Sequence, residues 1–185
     1  MFRGSLRSFS LLTAVGMTSV LCPMSTFAMG AASLPPPKTV ASVDVPRYMG
    51  KWFEIARFEQ RFQKGCVGVT AEYALLENGK VSVLNTCFDT TLDGEMRQAK
   101  GRAYVKNTST NAELRVSFFW PFYGDYWIFE LGSDYEYAVV GSPDRGSLWF
   151  LSRSPIMDDE LFGRLIAKMK SQDFDMSLLQ KTPQR

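Results

Sequence analysis

Cys22, Cys66 and Cys87 are the only thiols of a 185-residue chain that contains no histidine. The commonest general base and the commonest metal ligand are therefore both missing. Serine–histidine and cysteine–histidine nucleophile pairs are excluded, as are zinc sites that use histidine. No Gly-rich phosphate loop is present. Carboxylates and phenols remain, and Glu54 and Tyr73 are the ones an enzyme built on this chain would call on, although no spacing singles them out. The chemistry left to the chain is pairing of two thiols, acylation of one, and binding. No metal and no cofactor is expected.

The fate of the thiols depends on where the chain goes. Arg3 and Arg7 precede an apolar run from Phe9 to Leu21, which leads to Pro23 and a small-residue site at Ser25-Thr26-Phe27-Ala28. That order describes a secretory signal peptide over residues 1–28. Its apolar run is too short, and too rich in Ser, Thr and Gly, to span a bilayer. Cys22 closes the run, where a bacterial lipoprotein carries its lipid. Leu21 and Pro23 depart from the usual signal for that modification, so the expectation is cleavage after Ala28, with Cys22 the alternative acceptor. Cleavage removes two of the 21 basic residues, leaving them balanced against 19 acidic ones. A neutral chain has no electrostatic case for nucleic acid. Export makes Cys66 and Cys87 candidates for a disulfide.

The elements that must position these residues are short and extended. Residues 29–42 include Leu34-Pro35-Pro36-Pro37 and are expected to be a linker. From residue 43 to 185 the chain holds one domain, and with 14% aromatic and 22% charged residues it is not a solvated coil. Strand patterns run over 52–58, 67–76, 80–88, 95–105, 113–119, 126–131, 135–141 and 147–153. Several are separated by turn signals such as Glu77-Asn78-Gly79, Asp93-Gly94 and Pro143-Asp144-Arg145-Gly146. Eight short strands with tight connections predict an all-β fold, either an antiparallel sandwich or an up-and-down barrel. One helix follows. Asp158 is its N-cap, and Asp159 and Glu160 lie in its first turn. Leu161, Phe162, Leu165, Ile166 and Met169 fall on one face, so the helix is expected to pack outside the sheet.

Three stretches carry a resemblance. Gly50-Lys51-Trp52-Phe53-Glu54-Ile55-Ala56-Arg57 resembles the G-x-W signature that opens the first strand of lipocalins. Ser133-Asp134-Tyr135 with Ala138-Val139-Val140 resembles their second motif, and Leu151-Ser152-Arg153 their third. The order of the three, the helix after them, and Ser117-Phe118-Phe119 with Pro121-Phe122-Tyr123-Gly124 resemble a narrower group. That group is the bacterial outer-membrane lipocalins (Blc type), related to apolipoprotein D and plant temperature-induced lipocalins. The resemblance covers residues 44–180. It implies an eight-stranded antiparallel up-and-down barrel, closed at one end, with a lipid-sized cavity at the other and one C-terminal α-helix outside. Gly50, Trp52, Asp134 and Arg153 then belong to the closed end. They are structural, with the Arg153 guanidinium over the Trp52 indole contributing about 0.5–2 kcal/mol.

Within such a barrel, alternation along each strand names the inward faces. The expected ligand-contacting set is Val69, Tyr73, Val83, Ala103, Val116, Phe118, Trp127 and Trp149. Trp127 is preferred over Tyr126 because Glu130 shares parity with Tyr126 and argues that face outward. Ala99, Gly101 and Ala103 leave room rather than fill it. Apolar walls suit a fatty acid or a lysophospholipid. The expected function is binding, storage or transport of such lipids in the bacterial envelope for membrane maintenance, by a non-enzymatic monomer or homodimer. The alternatives are a lipocalin-type enzyme acting on its bound lipid and a ligand-free structural protein of the envelope. The location is the periplasm or the outer membrane, with lipid anchoring if Cys22 is acylated. Up-and-down order also puts Cys66 and Cys87 at the open end of one hairpin, and makes Phe119-Trp120-Pro121-Phe122-Tyr123 an aromatic lip at the mouth, facing a membrane or a partner.

Overall fold

The computed structural model describes Met1 and residues 34–185. Cys22 and, apart from Met1, the expected signal peptide lie outside the described residues. Eight antiparallel strands follow one another: β1 Gly50–Phe58, β2 Cys66–Leu75, β3 Val81–Asp89, β4 Met96–Val105, β5 Glu113–Phe119, β6 Phe122–Leu131, β7 Tyr137–Gly141 and β8 Leu148–Ser152. Each pairs with the next, and β1 pairs with both β8 and β2, which closes the sheet into a barrel. Closure removes the free edges that an open sheet would expose.

The start of β1 and the end of β8 mark the closed end. A short helix, α1 over Val45–Tyr48, crosses there. Asp44 caps it by accepting the Arg47 N–H, and Pro46 sits in its first turn, where a missing N–H costs nothing. The helix α2, Asp159–Ser171, lies on the outside of the barrel. Asp158 accepts the Leu161 N–H at 2.9 Å, and Phe162, Leu165 and Met169 bury their side chains. Two apolar clusters result. One fills the lower barrel around Trp52, Ile128, Val140 and Leu151. The other, around Phe129, Val139, Phe150 and Leu165, glues α2 to the wall. Strands β7 and β8 serve both, since Val139 and Phe150 face α2 while Val140 and Leu151 face the barrel interior.

Three features differ from expectation. A ninth strand, β9 over Leu179–Lys181, pairs with β1 through Ala56–Phe58, where β1 has parted from β2. The chain then continues along that gap. Thr182 donates its N–H to Ile55 O, Gly68 donates its N–H to Pro183 O, and Gln184 Nε2 bonds both Glu54 O and Val69 O. Residues 35–42, expected within a linker, are fastened to the barrel. Arg145 donates to Pro35 O at 2.7 Å and Val40 donates its N–H to Ile128 O at 3.0 Å. Pro37 is buried as well. The lip is not a five-residue loop, because Phe119 and Phe122 are already paired across a tight turn at Trp120-Pro121.

Candidate ligand-binding cavity

The barrel encloses a cavity of about 680 Å³ that opens at the end opposite α1. Its floor begins below the cavity with Trp52, which is fully buried. The Arg153 guanidinium stacks on the indole at 3.8 Å from the ring centroid. It donates to five backbone carbonyls, those of Lys51, Met49, Arg47, Tyr48 and Tyr135, at 2.8–3.2 Å. Trp52 Nε1 donates to Tyr48 O at 3.0 Å, so one side chain ties α1 to the indole while the other ties it to β8. Gly50 has φ +93°, and a Cβ there would stand 3.2 Å from Arg153 Nη1, which explains the glycine. Asp134 sits at this end, in the β6–β7 turn, with its side chain exposed and its N–H donated to Glu136. Its neighbour Tyr135 ties this turn to α1. Its hydroxyl accepts the Asp44 N–H at 2.8 Å and its ring lies under the Arg47 guanidinium.

Three phenols stand above the floor. Tyr48 from α1, Tyr73 from β2 and Tyr126 from β6 bring their hydroxyls together, with O···O distances of 2.7 Å for Tyr48–Tyr126 and 3.1 Å for Tyr73–Tyr126. Burial raises all three pKa values, Tyr73 to about 12, so the cluster is uncharged at neutral pH. The walls above are apolar and come from β2, β3, β4, β5 and β8. Val69, Tyr73, Val83, Ala103, Val116, Phe118 and Trp149 all line the cavity, as alternation predicts.

Trp127 does not. Its side chain packs with the outer cluster under α2, and Tyr126 takes the inward place. The cause is a β-bulge between Ile128 and Glu130, opposite Val140 and Val139. One extra residue reverses the parity beyond it, so Ile128 faces in while Glu130 reaches out to Lys168 at 2.6 Å. Glu130 does face outward, but its parity does not carry back through the bulge to Trp127, which faces α2.

Toward the mouth the wall turns polar on one side. Glu54 lines the cavity and is buried with Arg57, their side chains 3% and 6% exposed and their charged atoms 2.7 Å apart. The Glu54 carboxylate also accepts from Gln63 Nε2 at 2.8 Å and Thr182 Oγ1 at 2.6 Å. Gln63 in turn accepts the Trp149 indole N–H at 2.9 Å, which fixes that ring in the wall. Gln63 and Tyr48 lie outside the strands, in a 3-10 turn and in α1, where a two-residue repeat has no reach. At the rim Phe119, Trp120 and Phe122 are 75–81% exposed, and Phe62 from the β1–β2 connection is exposed beside the cavity. Gly101 leaves space for β5, since a Cβ there would stand 2.8 Å from Ser117 O and 2.9 Å from the Phe118 ring. Cys66 and Cys87 form a disulfide at the same end, between β2 and β3.

A lipocalin-like domain model matches residues 43–184, nearly all of the barrel and its seam. The chain belongs to the lipocalin family. This lipocalin is 41% identical over 162 residues to the outer membrane lipoprotein Blc of Escherichia coli K12, an alignment covering 85% of this chain and 91% of that one. It is 36% identical over 161 residues to apolipoprotein D of Mus musculus, covering 81% and 82% of the two chains. Among solved structures, insecticyanin from the tobacco hornworm Manduca sexta superposes with a TM-score of 0.65 at 19% identity, over 82% of this lipocalin and 86% of that chain. At that identity the likeness speaks for the fold alone.

Proposed function

We propose that this lipocalin binds a fatty acid or a lysophospholipid in its barrel, and carries or stores it in the bacterial cell envelope for membrane maintenance, without catalysing a reaction. The observation that carries this reading is the cavity itself. Its volume of about 680 Å³ falls in the range of about 300–1,000 Å³ typical of small-molecule sites. Its walls are largely hydrocarbon and its floor is uncharged. Each methylene moved from water into such walls gains about 0.8 kcal/mol, so a dozen carbons offset the cost of ordering the ligand and leave micromolar affinity. The polar head stays near the mouth, in reach of water. The aromatic rim suits transfer to and from a bilayer, because Trp and Phe partition to the membrane interface. The likeness to an outer membrane lipoprotein supports an envelope location, either peripheral or anchored through Cys22.

Tryptophan fluorescence tests the proposal. Of the four tryptophans, Trp149 lines the cavity, while Trp52 lies beneath it, Trp127 outside it and Trp120 on the rim. Titration with hexadecanoic acid or its lysophospholipid is expected to shift the emission saturably, and Trp149→Phe to abolish most of the shift. No saturable signal, together with no acyl chain in native mass spectra of the purified protein, would favour a ligand-free structural role.

A further inference from the structure

The phenol cluster at the cavity floor is more polar than a site for plain hydrocarbon requires. Tyr48, Tyr73 and Tyr126 hold one another in place, with Tyr48 stacked on Tyr73 at 5.8 Å and Tyr126 meeting the Tyr73 ring edge-on at 6.2 Å. Three neutral hydroxyls own three protons, and their two mutual contacts use two of them. Among the described residues these hydroxyls bond only to one another, so one donor is left over at the base of the cavity. Unused acceptor lone pairs accompany it. A buried hydroxyl without a partner is costly, and three phenylalanines would close an apolar floor at no such cost.

We infer that these three hydroxyls form a deep polar subsite that pairs with a neutral oxygen at the leading end of the bound lipid, a hydroxyl or carbonyl rather than a terminal methyl. The inference rests on the lipid-binding reading above and narrows its substrate class. A carboxylate fits poorly, because one spare donor is too few for an anion and the nearby Arg153 directs its N–H groups at backbone carbonyls. A single hydroxyl or ketone fits well, since it accepts the spare proton and, if a hydroxyl, donates to a free lone pair. The subsite is pre-organised by ring stacking and needs no rearrangement to engage.

The test compares terminal-hydroxy fatty acids with their methyl-ended parents, each competing against a fluorescent fatty acid, over lengths of about ten to eighteen carbons. With an apolar floor the hydroxyl loses about tenfold or more at every length that reaches it. With the phenol subsite, one length is expected to bind about tenfold tighter than its parent. That preference, read as the ratio of hydroxy-acid to parent-acid affinity within each protein, should vanish in Tyr126→Phe and weaken in Tyr73→Phe. Hydroxy acids weaker than their parents at every length in wild type would overturn the inference and leave lipid binding standing. That outcome needs no variant to fold. A preference that survives intact in both folded variants would overturn it too. Binding of neither series would remove the lipid-binding reading and this inference together.

Discussion

Arg57→Met separates a buried ion pair from the cavity wall it supports. The guanidinium donates to Glu54 at 2.7 Å, Thr182 at 3.2 Å, Gln63 O at 3.3 Å and Cys66 O at 3.2 Å, so it joins β1 to the mouth connection, the start of β2 and the C-terminal segment. Removing one member of a buried pair costs about 3–5 kcal/mol, mostly from the charge left behind. Two features pull the figure down. Glu54 keeps two of its three donors, Gln63 and Thr182. Arg57 Nε is buried without a partner among the described residues, and that desolvation is relieved by methionine. The expected loss is therefore about 3 kcal/mol, which for a domain of this size lowers Tm by about 6–12 °C. Urea unfolding followed by tryptophan fluorescence measures it. The double replacement Glu54→Leu with Arg57→Met removes both charges and is expected to recover most of the loss. A single-variant loss below about 1 kcal/mol, with no recovery in the double, would refute the argument, because that is how a hydrated surface pair behaves.

Three further outcomes are expected. Cys66 and Cys87 are 21 residues apart, so replacing Cys87 by Ser should destabilise by about 3 kcal/mol in the chain-entropy account, and denatured, unreduced protein should titrate no free thiol from this pair. In an alkaline absorbance titration, three of the seven tyrosines should ionise late. Burial holds the folded phenols neutral beyond the usual pKa of 10, with Tyr73 at about 12. Their folded pKa values exceed the unfolded ones, so stability is undiminished below pH 10 and falls above it, by up to about 1.4 kcal/mol per pH unit for each phenol. Trp120→Ser and Phe122→Ser should reduce flotation with liposomes of protein produced from residue 29 onward, and slow lipid transfer between vesicles. Equal flotation and equal transfer by all three proteins would remove the rim from any delivery role.

Regular alternation made most of the barrel legible in the sequence. Val69, Val83, Val116 and Trp149 reach the cavity because alternation holds over 69–73, 81–85, 114–118 and 149–151, although β2 and β5 carry bulges of their own between Val67 and Thr70 and between Val116 and Phe119. Trp127 was misplaced because a bulge leaves no mark in composition, and a single inserted residue turns the tryptophan toward α2. The Arg153–Trp52 pair was visible from the motif, whereas its five carbonyl partners were not, since they depend on how α1 folds across the barrel end. Tyr48 and Gln63 escaped for a related reason. They enter the cavity from a four-residue helix and a 3-10 turn, too short for any periodic signal. The seam at β9 was hidden because Leu179–Lys181 is a three-residue strand whose partner lies far back in the chain.

That seam bears on timing. Gln184 joins Glu54 and Val69 across sequence separations of 130 and 115 residues, and it does so after all eight barrel strands have been made. A chain emerging from its N-terminal side therefore owns a complete set of strands while a slit still runs between the upper halves of β1 and β2. The long loop that must close makes this contact slow to find and late to form. Until it forms, the Glu54 carboxylate lacks the Thr182 hydroxyl as a donor. The nascent barrel stays unstitched on the flank of its own mouth until residues 182–184 arrive.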